Sequence, residues 1–219
     1  MSNWFIPDYI FATYRDVTPE FLSGIGVRAL LIDIDNTLAP YEVAEPDESI
    51  KSWFDALAAA GIKATLVSNN GRERVELFNR TLGLPAYYKS GKPFAKNLKR
   101  AMQNMGSDKS NSAMLGDQLL TDAAAGKHIG LRTIIVPPIK DKTNAFFRAK
   151  RALEVGSIKK YVKRAQKRTI SAATAGGDLH NADESGTKTG GDAETICAFW
   201  LERRFSAKWL KKHGNNEVK

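Results

Sequence analysis

Apolar residues fall into short runs and helical stripes that alternate along the first two thirds of the chain. Residues 28–32 form a short run rich in Leu and Ile, suited to a buried strand. Pro40 to Pro46 reads as a loop. From Glu48 to Ala60, Ile50, Trp53, Phe54 and Leu57 recur at helical spacing, and Gly61 closes the helix. Residues 64–67 are the next strand. Residues 72–82 are a helix with Val75, Leu77, Phe78 and Leu82 expected to face inward, ended by Gly83. Residues 86–88 form a weak strand, and 94–105 a helix with Gly106 beyond it. Residues 112–115 are a strand, 123–128 a helix, and 132–136 a strand stopped by Pro137-Pro138. Ahead of this series lies an aromatic N-terminal segment over 1–26, with Trp4, Phe5, Tyr9, Phe11 and Tyr14, broken by Pro7 and Pro19.

Strands that alternate with helices predict an α/β fold with a parallel sheet. Ligands of such sheets bind outside the carboxyl ends of the strands. Asp33, Ser68 and Asp117 each follow a strand directly, so a parallel sheet brings them to one edge.

Beyond residue 140 the pattern changes. Residues 143–168 read as one basic helix anchored by Phe146, Phe147, Leu153, Val155 and Ile158. Residues 171–193 are rich in Gly, Ala, Thr and Asp without apolar periodicity, the composition of a flexible linker. Residues 194–219 contain an amphipathic helix of unassigned role. The expected division is a globular domain over 1–156, the end of the basic helix over 157–170, the linker, and the terminal helix.

Charge sharpens this division. The 219 residues carry +9 net, and the window 140–168 holds eleven Lys/Arg against Asp141 and Glu154, which accounts for all of it. A basic surface this local predicts an anionic partner or a solvated helix. One cysteine, Cys197, excludes an internal disulfide. No apolar run reaches membrane-spanning length, and the N-terminus lacks a signal-peptide pattern. The expectation is a cytoplasmic chain.

The run Leu30-Leu31-Ile32-Asp33-Ile34-Asp35-Asn36-Thr37-Leu38 drives a buried strand into two carboxylates. Two close like charges resist joint ionisation unless a cation or a shared proton compensates them. Three further fragments sit at strand ends or in the loops that follow: Ser68-Asn69-Asn70, Lys92-Pro93, and Gly116-Asp117-Gln118-Leu119-Leu120-Thr121-Asp122. Each alone is weak. The four in this order are strong.

The set resembles the haloacid dehalogenase-like (HAD) phosphatases, and within them the bacterial YqeG-type phosphatases of subclass IIIA. The likeness spans roughly residues 1–155 and includes Phe5-Ile6-Pro7-Asp8-Tyr9 and Asp16-Val17-Thr18-Pro19. It implies a three-layer Rossmann-like fold. The gaps from Asp35 to Ser68 and from Asn70 to Lys92 leave no room for a large cap domain, so the site is expected to be open.

In-line phosphoryl transfer needs a nucleophile, a cation over the phosphate oxygens and a proton donor for the leaving oxygen. Asp33 is the candidate nucleophile, forming an aspartyl-phosphate. Asp35 is the candidate general acid, then base. Thr37 orients Asp35 or the loop, or caps a turn. Ser68 donates to a phosphate oxygen with Asn69 in support; the alternative is an ordinary Ser-Asn-Asn-Gly turn. The resemblance assigns Lys92 the fixed positive charge, with Lys89 and Lys96 as neighbouring rivals. Asp33, the Asp35 carbonyl and Asp117 are the expected ligands of Mg²⁺, the ion favoured by oxygen donors and a phosphate substrate. Asp122 supports that shell or caps the next helix.

The family's relatives include phosphatidylglycerophosphate phosphatases. A phospholipid substrate and peripheral contact with the inner face of the membrane are therefore one expectation, which the aromatic segment and basic helix would serve; equally, the aromatics are core and the basic helix is solvated. The alternative is a nucleic-acid- or ribosome-associated protein that binds through the basic helix at 140–168.

Overall fold

The computed structural model describes residues 5–140 and 156–164. Its centre is a six-stranded sheet in the order β1-β6-β5-β2-β3-β4, parallel throughout. The strands are β1 (Tyr9–Ile10), β2 (Ala29–Ile32), β3 (Lys63–Val67), β4 (Ala86–Tyr87), β5 (Ser112–Gly116) and β6 (Arg132–Ile135). The helices are α1 (Pro19–Gly24), α2 (Glu48–Ala59), α3 (Arg72–Asn79), α4 (Lys96–Asn104), α5 (Ala124–His128) and α6 over 156–164.

The buried run Ala29–Ile32 explains the three layers. Side chains of a strand alternate between faces. Leu30 and Ile32 pack with Ile50, Trp53, Phe54, Leu57, Val75 and Phe78 of α2 and α3. Ala29 and Leu31 pack with Leu98 and Ala101 of α4 and Ala125 of α5 on the other face. This is the α/β arrangement expected from the sequence. Between Asp35 and Ser68 lie one loop, α2 and β3, and between Asn70 and Lys92 lie α3 and β4, with no inserted domain.

Strand β2 pairs with β3 on one side and β5 on the other, with Ile32 opposite both Leu66 and Leu115. From β2 the chain runs outward through β3 and β4, then returns to β5. That reversal opens a crevice at the carboxyl ends of β2 and β5, where ligands of such sheets bind.

The N-terminal segment holds more structure than its sequence shows. It supplies β1, a 3₁₀ turn over Tyr14–Asp16 and α1, whose N-cap Thr18 accepts a hydrogen bond from Phe21 N. Its aromatics turn inward: Phe11 and Tyr14 are buried, and Tyr9 meets Phe21 edge-on at 5.1 Å. Phe11 and Tyr14 are thus core, Tyr9 is half-buried, Phe5 is exposed, and Trp4 lies outside the described residues. Leu77, expected to face inward, is exposed, because α3 buries the Val75–Phe78 stripe and ends at Asn79.

Ile158 of α6 is fully buried against Ile10, Leu119, Ala123 and Ile135. The remainder of the basic helix at 143–168, the linker at 171–193 and the helix at 194–219 lie outside the described residues. Among the described residues, no helix is long and apolar enough to cross a membrane.

Candidate active site

Strand β2 ends at Ile32, and Asp33 N still donates to Leu115 O at 2.9 Å, so the first acid is fixed to the sheet edge. The chain then folds sharply over itself. Ile34 O accepts from the backbone N–H groups of Thr37, Leu38 and Ala39, and Asn36 takes the left-handed conformation with φ 67°. Asn tolerates that region better than most residues. The turn returns Thr37 Oγ1 to 3.3 Å from Asp33 Oδ2, so Thr37 donates to Asp33 rather than to Asp35.

Lys92 reaches the same point from the loop after β4. Its Nζ lies 2.6 Å from Asp33 Oδ1, 2.8 Å from Asp122 Oδ1 and 2.8 Å from Val67 O, with only 2% of the side chain exposed. Lys89 and Lys96, the neighbouring candidates, are exposed. Asn69 holds the Lys92 loop in place. Its Oδ1 accepts from Lys92 N at 2.9 Å and from Ser90 Oγ at 2.8 Å, while its Nδ2 donates to Lys92 O at 2.9 Å.

Asp117 and Asp122 arrive from the end of β5. A π-helical turn over Leu119–Ala123 carries Asp122 back across the strand end, where its Oδ2 accepts from Gln118 N at 3.0 Å. π-turns often mark functional positions. Gly116 makes the approach feasible: a Cβ there would sit 2.4 Å from Asp122 Cβ.

The carboxylates of Asp33, Asp117 and Asp122 therefore converge, with one oxygen of each within 4.8 Å of the others, and all three are buried. Three carboxylates beside one ammonium leave two uncompensated negative charges in the cluster if all are ionised. The all-oxygen donor set and that charge fit a hard divalent cation. The sequence reading had Asp122 only in support; here it stands within the cluster.

Electrostatics register the crowding. Burial, with Asp122 and Asp35 adding to it against the opposing pull of Lys92, raises the Asp33 pKa to about 7. Burial alone would lower the Lys92 pKa, but Asp122 and Asp33 beside it raise it above its ordinary value.

The Asp35 carboxylate faces other partners. Arg74 of α3 approaches its Oδ1 with Nε at 3.1 Å and Nη2 at 3.0 Å. Its Oδ2 accepts from Asn70 Nδ2, and Ser68 Oγ lies 3.4 Å away. Arg74 went unnoticed in the sequence. With Arg72 on the same helix and Arg80 at its C-cap, nothing marks which arginine turns inward.

Five of the exposed large apolar residues lie on loops at this same sheet edge. Tyr41 and Val43 follow the Asp33–Ala39 turn, Tyr88 and Phe94 flank the Lys92 loop, and Ile139 follows β6. Ile139 N donates to Asn36 O at 3.0 Å, which ties that segment to the turn.

A family model described as HAD-hydrolase-like matches residues 89–144. The "Probable phosphatase YqeG" of Bacillus subtilis (strain 168) is 36% identical over 154 residues, which is 70% of this chain and 90% of that protein. The chloroplastic phosphatidylglycerophosphate phosphatase 1 of Chlamydomonas reinhardtii is 26% identical over 151 residues, 64% of this chain and 56% of that protein. Among solved structures, the cobalt-bound deoxy-D-mannose-octulosonate 8-phosphate phosphatase from Haemophilus influenzae is 14% identical. It covers 65% of this chain and 93% of its own, with a TM-score of 0.43.

Proposed function

The chain belongs to the HAD-like phosphatases, and from that premise we propose that it is a Mg²⁺-dependent phosphomonoester hydrolase with Asp33 as its nucleophile. The observation that carries the proposal is the meeting of Asp33, Asp117, Asp122 and Lys92 at the carboxyl ends of neighbouring strands. Asp33, Asp117, Asp122 and the Asp35 carbonyl would hold the Mg²⁺, which would supply positive charge to the phosphate oxygens.

The chain's own residues divide the work as follows. Asp33 attacks phosphorus, and the bond to the leaving oxygen breaks as Asp35 gives that oxygen a proton. The product of this half is an aspartyl-phosphate and a neutral alcohol. Asp35, now ionised, takes a proton from water; the water oxygen bonds to phosphorus, and Asp33 leaves as a carboxylate with phosphate as product. Thr37 holds Asp33 in its rotamer through the 3.3 Å hydrogen bond. Lys92 places a fixed positive charge beside the nucleophile and the phosphate it receives. Ser68 donates to a phosphate oxygen, and Asn69 contributes by fixing Lys92.

For the substrate we propose a phosphatidylglycerophosphate-like lipid, hydrolysed at a membrane surface. The Chlamydomonas relative carries that name, and the rim of Tyr41, Val43, Tyr88, Phe94 and Ile139 gives the site an apolar margin. Tyrosines such as Tyr41 and Tyr88 sit well at the headgroup level of a bilayer.

The test is a hydrolysis assay with p-nitrophenyl phosphate and with short-chain phosphatidylglycerophosphate, with Mg²⁺ and with EDTA. The expected result is turnover of both esters in Mg²⁺ and of neither in EDTA. Turnover of the aryl ester without the lipid would remove the lipid assignment, and full activity in EDTA would remove the metal.

A further inference from the structure

We infer that Arg74 is a specificity-determining residue that binds a second anionic group, a phosphodiester, on the leaving alcohol of the substrate. The inference rests on the proposed phosphomonoester reading of this site and is carried by the geometry of Arg74.

Two arginines on α3 make the contrast. Arg72 is largely exposed and pairs with Glu76 one turn along its own helix, an ordinary surface arrangement. Arg74 is seated. Its guanidinium lies 5.1 Å from the Phe78 ring centroid and 5.8 Å from that of Tyr41, and Nη1 is 3.5 Å from Ala44 O. Only 12% of the side chain is exposed. The stacked plane is thereby held with its fork toward Asp35.

That fork is incompletely used. Nε donates to Asp35 Oδ1, whereas Nη2, though 3.0 Å from the same oxygen, is buried and makes no aligned hydrogen bond. An arginine fork matches two oxygens of a phosphate-type group better than one oxygen of a carboxylate.

Asp35 meanwhile has both oxygens engaged, Oδ1 by Arg74 and Oδ2 by Asn70 with Ser68 nearby. To transfer a proton it must turn an oxygen toward the leaving group. A leaving alcohol held by Asp35 lies within about a carboxylate's width of Arg74. A phosphodiester on that alcohol takes the Nε and Nη2 N–H groups of the fork in place of Asp35 Oδ1. The guanidinium keeps an anionic partner, and Asp35 Oδ2 keeps its hydrogen bond from Asn70 Nδ2. An alcohol without a second anion makes no such contact with Arg74.

The experiment compares wild type, Arg74→Gln and Arg74→Lys in Mg²⁺, each checked for an intact melting transition. One readout is the ratio of kcat/KM for short-chain phosphatidylglycerophosphate to that for p-nitrophenyl phosphate. The other is inhibition of p-nitrophenyl phosphate hydrolysis by glycerophosphoglycerol, which carries the phosphodiester without acyl chains. The ratio is expected to fall on the order of 10- to 100-fold in Arg74→Gln, the range of one lost charged hydrogen bond. Inhibition should weaken in parallel, and Arg74→Lys, which keeps charge without the fork, should fall between. Equal loss on both esters, or inhibition unchanged by the substitution, would overturn the assignment. If wild type turns over the aryl ester but not the lipid, the lipid reading fails and the inhibition series alone decides Arg74. An uninhibited wild type counts against it.

Discussion

Lys92 Nζ stands 2.6 Å from Asp33 Oδ1 and 2.8 Å from Asp122 Oδ1, so one buried ammonium ties the end of β2 to the π-turn after β5. Removing it leaves three buried carboxylates facing one another. Breaking a buried ion pair by deleting one partner costs about 3–5 kcal/mol. Lys92→Met should therefore lose stability of that order in EDTA, read by urea denaturation, and recover part of it in Mg²⁺. An unchanged urea midpoint would show that the lysine does not compensate the cluster.

The raised pKa of Asp33 sets a pH dependence. An acid that binds its proton more tightly folded than unfolded makes the fold less stable as pH rises between the two pKa values. For Asp33 that window runs from its ordinary value of 3.8 to about 7, and the loss is complete above it. In EDTA, Asp33→Asn should thus flatten the decline in melting temperature across this window. Added Mg²⁺ should raise the wild-type melting temperature at pH 8 and raise that of the variant less. A wild-type profile with the same slope as Asp33→Asn would contradict the electrostatic account of the site.

Gly116 is constrained by space. Gly116→Ala places its Cβ 2.4 Å from Asp122 Cβ, closer than carbon atoms tolerate, so Asp122 must move. The expected result is a loss of phosphatase activity on the order of 100-fold, the effect of misplacing a site group by about 1 Å, with a higher Mg²⁺ concentration needed for half-maximal activity. Gly71→Ala, at the N-cap of α3 with open space around it, is the control and should keep its activity. Equal activities in the two variants would show that Asp122 need not sit where it does.

How far the sequence reveals this fold depends on the reach of each interaction. Strands β2, β3 and β5 are legible because they are buried among other strands and read as apolar runs. Strand β1 is two residues long, and its pairing with Ile134 and Ile135 spans the whole domain. No local pattern announces it. Asp33, Asp117 and Lys92 are visible as motif residues, whereas the contact of Asp122 with Lys92 arises from a π-turn that its sequence does not announce. Arg74 looks like any surface arginine until α3 is docked against the turn over 33–39.

Residues 156–164 should belong to the folding unit. Ile158 is fully buried beside β1 and β6, so Ile158→Ala should cost about 2–5 kcal/mol. A chain truncated after residue 142 should melt earlier than one truncated after 169. The longer variant is expected to keep hydrolysing p-nitrophenyl phosphate. An unfolded or inactive 1–169 variant would mean that residues beyond 169 complete the domain.

The central claim is that Asp33 itself carries the phosphoryl group during turnover. The most direct measurement is an acid quench of wild-type enzyme within one turnover in Mg²⁺ with a phosphorus-labelled aryl phosphate, followed by digestion and mass mapping of the label. The account predicts one phosphoryl group on the peptide containing Asp33, labile in base, and none in Asp33→Asn, whose turnover is abolished while its fold remains. Label on another residue, or near-native turnover by Asp33→Asn, would contradict it.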